Sequence, residues 1–193
     1  MKRLIEALGA LKSLVRTGWS QSSVPPSAGE TVAAHSFEAS IIALVLASQA
    51  KERGISISPD RSAAMAAVHD LPEAVTGDLP PWSKDRCGSM DAEAASVLRV
   101  QGELLRLVEE FNSGGSPEAL VARVSDLLAT AVQGARYASM GFRRAGEVGA
   151  ACLEEALELA KGHEWLAGLV SENFEWLEEE LRGYGIPSGG WFD

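Results

Sequence analysis

The sequence predicts an all-α fold, a helical bundle of about six or seven helices. Three observations predict it. Apolar residues recur at intervals of three and four in stretch after stretch, as on one face of a helix. The connections between those stretches are marked by Ser, Pro and Gly. No run alternates with period two in the manner of a strand. Aromatic residues make up only 6% of the chain and alanine is abundant, which suits helices packed closely together. At 193 residues the chain is expected to form a single domain, 1–193, with its C-terminal helices and tail over 145–193.

Residues near 2–16 read as an amphipathic helix, with Leu4, Ile5, Leu8, Leu11 and Val15 on one stripe. Arg16-Thr17-Gly18-Trp19 then leads into SQSSVPPSAGE, a loop by its Ser, Pro and Gly content. A second helix, from near Thr31 to about Arg53, is apolar almost all round through Phe37, Ile41, Leu44 and Val45. That makes it central, and Gly54 ends it. Ser58-Pro59 starts a helix that runs to Asp70, with Ser at the cap and Pro at the first position. Pro72 then forces a break, and Gly77 to Pro81 forms a turn. One helix follows over about 90–111. The next runs from Pro117 to about Ala138, with Asp126 interrupting its apolar face and Gly134 weakening it. Two more cover about 146–160 and 163–181. Glu178 to Glu180 read as a solvated face, and Trp191 and Phe192 as tail residues that dock on this protein or on a second copy.

The net charge of −10 argues against general affinity for nucleic acid or an anionic membrane. A small anionic ligand stays compatible, because a metal ion and an arginine reverse the sign locally. Cys87 and Cys152 are too few for a disulfide framework, and the N-terminus lacks the features of a secretory signal. A cytoplasmic protein is expected. The longest apolar run, Ile41 to Ala47, is short for a membrane span.

The chemistry concentrates between Ala63 and Pro80. His69 and Asp70 are adjacent at a helix end, Glu73 follows one turn later, and Asp78 sits in the turn. Upstream, His35 lies in the first turns of the central helix and points inward. Downstream comes Asp126. Two imidazoles and two carboxylates form a mixed nitrogen and oxygen set that suits one divalent ion among Mn, Co, Ni, Fe, Zn and Mg. Such an ion polarises a phosphoryl oxygen and activates water. Glu73 is placed for general acid or base work. Asp78 would bind a substrate hydroxyl or help to place Glu73. Each residue has a plainer reading: His35 as a core histidine, Asp126 as a surface residue or a partner of Arg123, Trp19 as a lid on the core, and His163 as a surface residue.

In their order and spacing, RTGW at Arg16–Trp19, VAAHS around His35, VHDLPEAVTGDLP and the later Asp126 resemble the HD-domain phosphohydrolases, in particular the YfbR-like 5′-deoxynucleotidases. The match covers about residues 10–140. The resemblance implies an all-helical HD fold with a divalent metal on His35, His69, Asp70 and Asp126, Glu73 in the proton transfers, and Asp78 in support. It further implies that Arg16 holds the phosphate of a deoxynucleotide substrate and that Trp19 walls the sugar. The reaction would be hydrolysis of a deoxyribonucleoside 5′-monophosphate by a homodimer or higher homo-oligomer. Two departures stand out. Ala34 replaces the Glu that many relatives carry before the first metal His, and Ser125 and Leu127-Leu128 flank Asp126 where relatives often have Lys.

Neighbouring readings are a dNTP triphosphohydrolase, with Arg16, Lys84, Arg86 and Arg136 as its cations, and a nucleotide-binding HD protein without catalysis. An oxygenase on the same scaffold would need more ligands than three histidines allow.

Overall fold

The computed structural model describes residues 1–80, 91–98 and 102–187, and among these it is all-α. The helices are α1 (Lys2–Leu11), α2 (Thr17–Gln21), α3 (Val32–Glu52), α4 (Pro59–Val68), α5 (Glu73–Thr76), α6 (Asp91–Leu98), α7 (Glu103–Ser113), α8 (Pro117–Ser139), α9 (Arg143–Lys161) and α10 (Glu164–Gly183), with a 3₁₀ turn at Pro26–Ala28. Lys84, Arg86, Cys87, Trp191 and Phe192 lie outside the described residues.

Helix α3 is the axis of the bundle. It packs against α4 and α8 and also meets α1 and α10. Ala39, Ala43, Leu46, Ala47 and Ala50 form its buried face, so neighbouring backbones approach closely. The opposite face leaves Phe37, Ile41, Leu44 and Val45 exposed. Helix α3 is long and apolar enough to cross a membrane by length and composition alone; in this fold it carries His35 into the interior. Helices α3 and α8 begin at side-chain caps. Thr31 accepts from the Ala34 N–H at 3.2 Å, and Ser116 from the Ala119 N–H at 3.1 Å, each contributing about 1 kcal/mol.

Several boundaries differ from the sequence expectation, each for a local reason. Helix α1 ends at Leu11, and Val15 instead forms an antiparallel bridge with Thr31. Gly29 allows that approach, since a Cβ there would come within 2.4 Å of Val15 Cγ1. Within the expected loop, Thr17–Gln21 is a short helix with Trp19 buried. The helix expected over about 90–111 is two, α6 and α7, with Gly102 at φ +65° before the second. Glu178 is not solvated: it is buried and accepts from Arg182 Nη2 at 2.6 Å.

Gly134, expected to weaken α8, is where α9 crosses it. A Cβ at Gly134 would lie 2.6 Å from the Gly149 Cα and 2.9 Å from the Ala145 carbonyl oxygen. This crossing holds α9 against the C-terminal half of α8, about two turns past Asp126.

Candidate metal centre and its cavity

Three helices bring the ionisable residues together. His35, in the first turns of α3, is fully buried. Helix α4 stops at Val68, and its cap residue His69 and the following Asp70 turn inward ahead of Pro72. Asp126 projects from α8. His35, His69 and Asp70 each offer one donor atom, all within 4.8 Å of one another. Asp126 Oδ1 lies 2.7 Å from His35 Nε2 and 3.5 Å from His69 Nε2.

Hydrogen bonding fixes the state of each imidazole. His69 Nδ1 donates to the Ala66 carbonyl at 2.8 Å, so in the neutral ring Nε2 holds a lone pair. That Nε2 is buried, makes no hydrogen bond, and faces Asp70 Oδ2 at 3.1 Å as well as Asp126. A lone pair confronting two carboxylates is unfavourable unless a cation lies among them. A proton or a metal ion meets that need, and the mixed donor set fits a divalent ion. Burial opposes charge on His69, but Asp70 and Asp126 outweigh it and hold its pKa well above the usual value. Burial likewise opposes ionisation of Asp70 and Asp126. His69 and His35 overcome it, bringing Asp70 to about 2 and Asp126 well below the ordinary carboxylate range.

The cluster forms one end of a 560 Å³ cavity whose lining includes Arg16, Trp19, Asp70, Glu73, Asp126 and Arg144. Arg16 Nη1 lies 2.8 Å from His35 Nδ1 and donates to Thr130 Oγ1 at 2.9 Å. Trp19 is 2% exposed, meets Tyr137 edge-on at 5.1 Å, and donates from Nε1 to Glu30 Oε2 at 2.8 Å. Glu73 is buried beside Asp70 at the start of α5. Asp78 also lines the cavity, and its principal contacts hold α2: its carboxylate accepts from the Thr17 N–H and its carbonyl from Thr17 Oγ1 at 2.7 Å. All eight residues singled out from the sequence therefore line or adjoin one site. Arg136 does not; it is engaged bidentately by Glu38 at 2.7 Å. His163 is exposed at the start of α10.

Sequence reading missed the far wall. Arg144, Val148, Cys152 and Glu155 fall at helical spacing on α9 and line the cavity together. It also missed Glu30, which sits in a Ser-, Pro- and Gly-rich loop of solvated appearance. The one available signal was its place five residues before His35, between two stretches already tied to the motif.

Residues 8–149 match the family model described as HD domain. The 5′-deoxynucleotidase HDDC2 of Danio rerio is 27% identical over 146 residues, spanning 71% of this chain and 69% of that protein. The 5′-deoxynucleotidase hdd1 of Schizosaccharomyces pombe is 27% identical over 128 residues, 60% of this chain and 61% of that one. Among solved structures, a conserved hypothetical protein of Pyrococcus furiosus superposes with a TM-score of 0.75 at 29% identity, covering 95% of this chain and 99% of that one. A protein of Pyrococcus horikoshii superposes with a TM-score of 0.71 at 32% identity, covering 96% and 98%.

Proposed function

Because the chain belongs to the HD domain family, we propose that it is a divalent-metal-dependent 5′-deoxynucleotidase, hydrolysing deoxyribonucleoside 5′-monophosphates to deoxynucleoside and phosphate. The observation that carries the reading is the unsatisfied Nε2 of His69 facing Asp70 and Asp126 at one end of a nucleotide-sized cavity. The names of the similar 5′-deoxynucleotidases support the substrate class.

In this reading His35, His69, Asp70 and Asp126 hold one ion, with Mn, Co, Ni, Fe, Zn and Mg all compatible with the donor set. When bound, the ion polarises the phosphoryl group and makes water a nucleophile near neutral pH. The protein's own groups do the rest. Arg16 presents fixed charge and forked donors to the phosphate. Glu73 takes a proton from the attacking water and returns one to the departing 5′ oxygen. Asp78 holds α2 and so keeps Arg16 and Trp19 at the cavity. Trp19 walls the sugar on the side where a ribose 2′-hydroxyl would sit.

We also infer a homodimer. The exposed stripe of Phe37, Ile41, Leu44 and Val45 supports it, since a contiguous apolar face of this kind marks an interaction surface. Sedimentation of the wild type and of Ile41→Glu tests it. We further infer a cytoplasmic location, because the two cysteines of the sequence are too few for a disulfide framework.

The deciding experiment is phosphate release from ribo- and deoxyribonucleoside 5′-monophosphates with Mn²⁺, Co²⁺, Mg²⁺ or EDTA. Metal-dependent release from the deoxy set, abolished by EDTA, is the expected outcome. Triphosphate release from dATP without turnover of dAMP would replace this reading.

A further inference from the structure

Glu30 is the one acidic side chain of the loop before α3, and its side chain is only 6% exposed. Its backbone N–H and carbonyl and its Oε2 are all engaged. Its N–H donates to Tyr137 Oη at 2.7 Å, and its carbonyl accepts from the Arg16 N–H at 3.0 Å. Its Oε2 accepts from Trp19 Nε1 at 2.8 Å and lies 3.8 Å from Arg16 Nη1. Tyr137, in turn, donates to the Ala28 carbonyl at 2.9 Å and packs on Trp19. Burying a carboxylate is costly, and burial pushes its pKa up against the pull of His35, Arg16 and the Trp19 bond. A residue that merely closed the loop would not need a buried side-chain acceptor.

An indole has a single polar atom, Nε1, so one acceptor fixes which way the ring is turned. Trp19 is buried, which leaves that N–H no water as a substitute. The acceptor also sits next to the guanidinium of Arg16. Glu30 itself does not line the cavity. We propose that Glu30 is a positioning residue: its carboxylate orients the Trp19 ring and registers it against Arg16, so that the distance between sugar wall and phosphate fork sets the discrimination between deoxyribose and ribose. This rests on the reading of Trp19 as the sugar wall given above.

Two variants separate the roles. Glu30→Gln keeps an oxygen acceptor at nearly the same volume, whereas Glu30→Leu keeps volume and removes the acceptor. The readouts are the ratio of kcat/KM for dAMP over AMP, Mn²⁺ affinity by titration, and the ¹⁵N–¹H resonance of the Trp19 indole, assigned by its loss in Trp19→Phe. Glu30→Gln is expected to hold the ratio to within about threefold, and Glu30→Leu to lower it by about tenfold or more, the range of a lost hydrogen bond to a charged group. Glu30→Leu should also move the indole resonance, with Mn²⁺ affinity unchanged to within about threefold because Glu30 is not among the ligands. A ratio unchanged in both variants, or one lost together with Mn²⁺ binding, overturns the proposal. Should Glu30→Leu not fold, Glu30→Asp withdraws the acceptor by one methylene and carries the same expectation. If the wild type turns over neither nucleotide, the deoxynucleotidase reading fails. The indole resonance still judges Glu30, because an unmoved signal without the acceptor refutes its hold on Trp19.

Discussion

Arg16 Nη1 sits 2.8 Å from His35 Nδ1. A guanidinium only donates, so Nδ1 accepts, the ring proton is on Nε2, and that proton is given to Asp126 at 2.7 Å. In the ion-free protein Arg16 thereby sets the tautomer of His35 while holding Thr130 with the same nitrogen; ligation through Nε2 requires the ring proton to pass to Nδ1, which releases Arg16 from His35. Lysine keeps the charge but not the fork. Arg16→Lys is expected to lower kcat/KM for dAMP by about ten- to a hundredfold, measured by initial rates. An unchanged value would remove Arg16 from the phosphate site.

The metal-free protein has a defined pH window. His69 is raised, so its stabilisation is complete below about pH 6.5 and is lost as pH climbs through the raised value. Asp70 and Asp126 are lowered, so theirs is present above about pH 4 and is lost on acidification toward about pH 2. Thermal unfolding in EDTA should therefore show its highest Tm between about pH 4 and 6.5, with a decline on both sides. Excess Mn²⁺ should offset the alkaline decline. Calorimetry at neutral pH in buffers of different ionisation enthalpy should show about one proton released per ion bound.

Asp126 is shared by both imidazoles. Asp126→Ala removes one ligand and leaves the His35 Nε2 proton without its acceptor. Mn²⁺ affinity should fall by about a hundredfold or more, with helical content by circular dichroism retained. Asp70→Ala should behave alike. Full activity in either variant would refute the four-residue site.

Cys152 faces the cavity from α9, and burial pushes its thiol up to about 12. Its thiolate is scarce at neutral pH. In a Cys87→Ser background, iodoacetamide should modify Cys152 about a hundredfold or more slowly than free cysteine at pH 8. The rate should rise with pH and fall when substrate occupies the cavity. Mass spectrometry follows both.

Two glycines give opposite expectations. Gly134→Ala drives a methyl into the backbone of α9 and should cost about 1–3 kcal/mol in urea unfolding. Gly9, in α1, has nothing within 4 Å of an added Cβ, so Gly9→Ala should stabilise by up to about 1 kcal/mol.

The fold class and the residues gathered at the candidate metal centre were legible because their signals are local or chemically rare. Helical spacing announces α3 and α8, and a chain with three histidines that sets one beside an aspartate draws attention to His69 and Asp70. Other features depend on contacts between distant segments, which no local pattern carries. Glu30 looks solvated until Trp19 and Tyr137 are placed around it. Arg144, Val148, Cys152 and Glu155 have ordinary helical spacing, and only the Gly134–Gly149 crossing turns that face toward Asp126. Asp78 was expected to touch substrate or Glu73; its role in holding Thr17 follows from tertiary proximity across 61 residues.

The long reach of these contacts also bears on synthesis. His35 meets Asp126 across 91 residues, and Arg16 meets Thr130 across 114. A nascent chain that has exposed only its first hundred residues already displays His35, His69 and Asp70, yet lacks the carboxylate of Asp126 and the hydroxyl that steadies Arg16. On the proposed four-residue reading, strong ion capture waits until α8 has left the ribosome, and closure of the cavity until α9 has followed. The proposed cation would then enter late, when most of the bundle is already available to enclose it.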